Sequence, residues 1–198
     1  MMHPHSQIRT AIMATRKSQY NSLDDLLAGE PLAAEDPATA KIVKRLAHVR
    51  ADKELSRGEF LDICYWKSPR GIRRCEQNSA TKVEQITRKV FATRSEKEKI
   101  DLLMDLEGVS IPTASAILTL TDPVNYGVID IRVWQVLHTL RAVTSNPKGQ
   151  HFTFDHWDQF LQILRHHSRL LRASTRQIEL TLFTYHRSHQ KGSLYGNK

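Results

Sequence analysis

Asp130 stands immediately before a helical-looking run whose apolar stripe is Val133, Trp134, Leu137 and Leu140. A carboxylate in that place faces the positive end of a helix, which keeps it ionised. It is suited to stabilising positive charge that develops on a sugar carbon, and to orienting or deprotonating an attacking water. An aspartate there is also an ordinary N-cap, and the two roles do not exclude each other. Upstream, the turn Leu106-Glu107-Gly108-Val109-Ser110 joins two helical patterns. Gly108 allows a close backbone approach, and the helix that follows points unpaired N–H groups outward, which suits a phosphate. Any αα-hairpin uses a glycine to turn as well. Leu106, Val109 and Ile111 read as apolar anchors of the turn, and Thr113-Ala114-Ser115 as a small face for close helix contact.

The charge gives the hairpin a partner. Lys plus Arg number 29 against 21 Asp plus Glu, a net charge of +8, which favours a polyanion. Hairpin and charge together read as a clamp on a DNA backbone without sequence preference, through Leu106, Gly108, Val109, Ser110, Ile111 and Thr113. Lys67, Arg70, Arg73, Arg74 and Lys82 add a basic run that can meet phosphates or form a solvated helix face. Tyr65, Trp66, Tyr126 and Trp134 are the aromatics available to stack on a base, although Trp134 sits on an apolar stripe and reads as core. Cys64 and Cys75 are too few for a disulfide framework or a four-cysteine cluster, and the histidines lack metal-ligand spacing. No metal and no cofactor are expected.

The elements that hold these residues are helices. Apolar residues recur at helical spacing and strand-like alternation is nearly absent, so the fold class is all-α. Ser22 opens a short helix closed by Gly29, and Asp36-Pro37 caps a helix with Ile42, Leu46 and Val49 on one face. Ser56 and Glu59 form a capping box before Phe60 and Ile63, in a helix expected to end near Trp66. Residues 67–71 read as a turn. Asn78 or Ser79 then caps a helix bearing Val83, Ile86 and Val90. A helix over 96–105 turns Ile100, Leu103 and Met104 inward, and the segment PTASAILTLT makes the next one. TSNPKGQH reads as a linker. Trp157, Phe160, Leu161 and Leu164 mark another helix, and Ser174 with Gln177 opens the last, which carries Ile178, Leu182 and Tyr185.

Residues 102–137 resemble the helix-hairpin-helix DNA glycosylases, the superfamily of endonuclease III and the alkyladenine and adenine-mismatch glycosylases. LEGVS, TASAIL, DPVNY and VID follow in that family's order over roughly 35 residues. The resemblance implies a two-lobed helical domain, residues 106–114 as the DNA-gripping hairpin and Asp130 as the catalytic aspartate. Ser110 replaces the family's second hairpin glycine, and Pro112 stands where bifunctional members carry a Schiff-base lysine. Asp130-Ile131-Arg132 departs from the usual Asp-Thr-His, and the cluster cysteines of endonuclease III have no counterpart.

The expected enzyme is therefore a metal-free, monofunctional DNA N-glycosylase that excises a damaged or modified base from double-stranded DNA in base excision repair. A non-catalytic helix-hairpin-helix DNA-binding protein is one alternative, and a bifunctional glycosylase and lyase using Lys67 is another. The expected organisation is a partly flexible extension over 1–35, a domain over 36–190 and a frayed tail over 191–198. Within the domain, one lobe spans 55–140, and 36–54 joins 150–190 in the other. Met13 reads as an alternative start. No apolar run has signal-peptide or membrane-span length, so a monomer in the cytoplasm or nucleoid, away from membranes, is expected.

Overall fold

The computed structural model describes residues 19–189, and among them every regular element is helical. The expected leader, its alternative start at Met13 and the tail over 191–198 lie outside the described residues. In chain order the helices are α1 (Leu23–Gly29), α2 (Pro37–Arg45), α3 (Val49–Asp52), α4 (Arg57–Lys67), α5 (Ile72–Cys75), α6 (Ala80–Ala92), α7 (Glu96–Met104), α8 (Ile111–Thr121), α9 (Ile131–Thr139), α10 (Phe154–Leu171) and α11 (Thr175–His189). None of them is long and apolar enough to cross a membrane.

α8 is the axis of the molecule. It is apolar on nearly every side, and apart from Pro112 every residue from Ile111 to Thr121 is buried, as expected of a helix surrounded by others. Its buried hydroxyls find partners within the helix: Ser115 Oγ donates to the Pro112 carbonyl, Thr119 to Ser115 and Thr121 to Ile117. α2, α4 and α7 pack on α8, and α6 packs on α4 and α7. Phe60, Ile63, Val83, Val90, Ile100 and Leu103 fill the space between them. On the other side α11 is gripped by α9 and α10 through Val133, Trp134, Leu137, Phe160, Leu161, Leu164, Ile178 and Leu182.

Several expected boundaries move. Ser79, not Asn78, caps α6. Met104 is exposed rather than inward, because α7 ends there and the chain turns away. The helix over 36–49 breaks into α2, a tight turn at 46–48 and α3, which Lys53 closes in a left-handed conformation. Lys67 still belongs to α4, and residues 69–71 form a 3₁₀ turn into α5. α9 packs chiefly on α11 rather than with 55–140, and α2 lies against α8 rather than with 150–190. Residues 19–35 are integrated into the fold, with Leu23, Leu26 and Leu27 buried and Ala33 N–H bonded to Thr181. TSNPKGQH is no free linker, since the Asn146 carbonyl accepts the indole N–H of Trp134 at 2.9 Å.

The segment between α8 and α9 is drawn in tightly enough to depend on a glycine. A Cβ at Gly127 would lie 2.6 Å from Leu164 Cδ1 and 3.0 Å from Glu179 Cβ, so the Leu164 side chain would have to shift and Glu179 on α11 to give way. Gly127→Ala is expected to destabilise the protein by about 1–3 kcal/mol, read from urea unfolding. An unchanged midpoint would show that this contact yields freely.

Candidate active site and nucleic-acid interface

Asp130 is the N-cap of α9. Its Oδ1 accepts from the backbone N–H groups of Arg132 at 2.9 Å and Val133 at 3.0 Å. Oδ2 accepts no hydrogen bond among the described residues, and the side chain is only partly buried. The residue is thus a cap with one oxygen left over.

The preceding chain is bonded down almost residue by residue. Thr175 and Arg176, at the start of α11, donate their backbone N–H groups to the carbonyls of Val124 and Pro123. Arg165 Nε donates to the Asn125 carbonyl at 3.0 Å. The Val128 N–H donates to Glu179 Oε2 at 3.3 Å, and the Ile129 N–H to Ser115 Oγ at 3.2 Å. Since Ser115 Oγ itself donates to the Pro112 carbonyl, Asp130 is linked through two hydrogen bonds to the first turn of α8.

A charged floor lies beneath it. Arg176 is buried between Glu179, with which it forms a very short bridge, and Glu35, which it meets at 2.7 and 2.9 Å. Burial alone would lower Arg176, but the two carboxylates hold its guanidinium above the ordinary value. Burial pushes Glu179 up, against the pull of Arg176 and with the push of Asp130. Lys67, the last residue of α4, lies within reach of the charges of Asp130 and Glu179. Burial pushes its ammonium below the ordinary lysine value, while Asp130 and Glu179 draw it back up and Arg176 opposes them. On α11, burial and Arg132 lower His186, against the pull of Asp130. Its Nε2 meets Gln135 at 3.1 Å and its buried Nδ1 makes no hydrogen bond among the described residues.

The hairpin residues divide by role. Leu106, Val109, Ile111 and Thr113 are buried, so their side chains hold the turn, whereas Gly108 and Ser110 are exposed. Gly108 has φ +80°, and a Cβ there would lie 2.8 Å from both Arg74 Cβ and Cys75 N. The close approach that requires glycine is therefore made to α5 of the same chain. Asn78 reinforces it by donating to the carbonyls of Cys75 and Glu107 and accepting from the Glu107 N–H. Ser110 precedes α8 without a capping side-chain bond. The turn is thus packed against Arg74 of α5, which is exposed like its neighbour Arg73, while exposed Arg70 and partly buried Lys82 lie on the neighbouring elements.

The expected base-stacking aromatics are otherwise engaged. Trp134 is fully buried, in edge contact with Phe152 and His156. Tyr126 is buried, stacked on Trp157, and accepts from Lys99 while donating to Glu96. It lines a cavity of about 150 Å³ with Arg50, Lys53, Lys99 and Asp122, none of which belongs to the Asp130 site. Trp66 donates to Thr39, and Arg176 lies over its ring. Core packing thus accounts for Tyr126 and Trp134, which do not face Asp130 as a pocket wall. Tyr65 is 60% exposed, two residues from Lys67.

Sequence reasoning missed Glu35, Arg176, Glu179 and His186. Arg176 and Glu179 share an i, i+3 spacing that hints at a pair, but Glu35 joins them across 141 positions and leaves no local trace. Comparison with family models, with curated proteins and with solved structures finds nothing that matches this chain.

The surface of Arg73, Arg74 and the uncapped α8 start has a direct test. Replacing both arginines with alanine should weaken binding to a duplex at least tenfold and lower the slope of log affinity against log salt by about 2. Unchanged affinity and slope, measured by fluorescence anisotropy from low to high salt, would remove α5 from the interface.

Proposed function

We propose that this chain is a DNA N-glycosylase of the helix-hairpin-helix type, which removes a modified base from duplex DNA by Asp130-assisted hydrolysis. One observation carries the reading. Asp130 presents an uncommitted carboxylate oxygen at the end of a chain segment whose backbone is pinned to three helices. An N-cap needs only one oxygen and no such scaffold.

The chemistry runs from the backbone inward. Phosphates of the duplex meet the uncapped N–H groups of α8 and the arginines of α5. The modified nucleotide leaves the stack and its C1′ comes to rest at Asp130. As the bond from C1′ to the base nitrogen lengthens, positive charge spreads over C1′ and the ring oxygen. The Asp130 carboxylate stabilises that charge. A water adds to C1′ and gives a proton to the carboxylate, the base leaves with the electron pair of the broken bond, and that proton passes to the base nitrogen, leaving an abasic site.

Asn is nearly as good an N-cap as Asp, so Asp130→Asn separates the two roles. Its thermal midpoint should stay near that of the wild type. Base release should fall by about a hundredfold or more, measured on duplexes carrying alkylated, oxidised or deaminated bases. Full activity in the variant would refute the mechanism, and a wild type that binds these duplexes but frees no base would identify a non-catalytic binding module.

A further inference from the structure

The cavity beside Tyr126 gathers more positive charge than its surroundings account for. It holds about 150 Å³ where α3, α6 and α8 end, with buried Val49 and Leu118 and partly buried Phe91 as its apolar wall. Arg50, Lys53 and Lys99 also line it, against the single carboxylate of Asp122. Carbonyls at helix ends attract cations, and that accounts for Arg50. Its Nε donates to the Thr121 carbonyl at 3.3 Å, and its guanidinium meets Asp122 at 3.2 Å. The Asn125 amide also donates to Asp122, at 2.8 Å. Lys99 donates to the Tyr126 hydroxyl at 2.8 Å but meets the Glu96 carboxylate only at 3.5 Å, and Arg165 meets that carboxylate more closely, at 2.7 Å. Exposed Lys53 makes no hydrogen bond and no ion pair among the described residues. It closes α3 in a left-handed conformation, φ 59°, where glycine or asparagine is the easier residue. Nothing in the cap therefore asks for a lysine.

We propose that this cavity is a binding site for a small phosphate monoester, separate from the Asp130 site and independent of the glycosylase reading. The exposed pair, Arg50 and Lys53, marks its mouth, and partly buried Lys99 and buried Tyr126 lie deeper. Cations from α3, from its end and from α7 thus surround one small volume. A phosphate monoester brings three terminal oxygens and nearly two negative charges to such a set, whereas a carboxylate brings fewer of both. Arg50 supplies forked N–H groups and the lysines supply compact charges. The phosphate replaces water on Lys53 and on the remaining N–H groups of Arg50, and Lys99 draws it inward. Its organic group packs on Phe91, Val49 and Leu118. Asp122, already held by Arg50 and Asn125, repels it less than a free carboxylate would. The cavity is smaller than the roughly 300 Å³ at which pockets begin to enclose drug-sized molecules. The enclosed part of the ligand is therefore short. It is either a free phosphorylated alcohol or phenol, or the terminal phosphate of a nucleic-acid strand whose remainder lies outside.

Phenyl phosphate is the probe, titrated into the full chain by calorimetry beside inorganic phosphate, benzoate and phenol. It should bind with a Kd of about 1 mM or tighter, and about tenfold or more tighter than benzoate or phenol. Lys53→Asn removes the charge while suiting the left-handed backbone, so it should keep the thermal midpoint and weaken phenyl phosphate about tenfold. Lys53→Arg, which keeps the charge, should bind within a few-fold of the wild type. Replacing Arg73 and Arg74 with alanine, which alters the surface assigned to duplex phosphates, should leave this binding unchanged. A dinucleotide with and without a 5′ phosphate tells the two sources apart. A gain in affinity that Lys53→Asn abolishes assigns the cavity to strand ends, and no gain, with phenyl phosphate bound, assigns it to a free ester. The proposal is overturned by no binding of phenyl phosphate, by benzoate or inorganic phosphate bound as tightly, by full binding in Lys53→Asn, or by loss of binding in the Arg73 and Arg74 variant. None of these readouts involves base release, so a failure here leaves the glycosylase reading where it stands.

Discussion

The hydrogen bond from the Val128 N–H to Glu179 is the contact on which the rest of the site turns. The chain must leave α8, reverse and deliver Asp130 to the start of α9 while Gly127, Val128 and Ile129 are buried. Buried backbone N–H groups need partners, and no sheet or helix supplies them here. A carboxylate brought in from α11 does so at the cost of its own desolvation, which raises its pKa. Arg176 offsets that cost and is in turn held by Glu35. Arg176 also lies over Trp66, so the network that fixes the loop before Asp130 reaches the helix that ends at Lys67. Removing one member of such a buried set leaves an uncompensated charge, which is why these three residues act as a unit.

This arrangement sets the electrostatics as well as the geometry. The charge of Asp130 acts on Glu179, His186 and Lys67, so these groups share one electrostatic field. Positive groups at Arg132, Arg176 and Lys67 stand against negative ones at Asp130, Glu179 and Glu35, fixed in place before any substrate arrives. A field prepared in this way requires little reorganisation when charge develops at a sugar carbon. His186, held toward its neutral form, adds no further positive charge.

Local chemistry was legible in the sequence wherever a partner lay within a few residues. The capping box of Ser56 and Glu59, the Asp36 cap, the Ser174–Gln177 pair and the Asp130 cap all form as read. So do the buried stripes of α4, α6, α9, α10 and α11, because helical periodicity follows from the chain alone. What escaped was set by partners distant in sequence. Asn78 has the residue type of a helix cap, yet it serves Glu107 because α5 brings the hairpin alongside. Trp134, Tyr126 and Trp66 are large amphipathic rings equally suited to core or base, and only the surrounding helices assign them. Sequence adjacency does not give packing partners either, since α9 follows α8 in the chain but packs chiefly on α11.

Gly108 shows how such a partner changes the meaning of a motif. Its absent side chain makes room for Arg74 and Cys75 rather than for an outside ligand. The turn and α5 thereby pack together, which brings Arg74 alongside the turn that leads into α8. A phosphate bound there would meet N–H dipoles and guanidinium charge in fixed register. Because Ser115 ties the first turn of α8 to the backbone before Asp130, that register is transmitted to the carboxylate by two hydrogen bonds and a single helical turn. Under the proposed function, a grip on the backbone that carries no sequence information would still set where along the strand a sugar carbon meets Asp130.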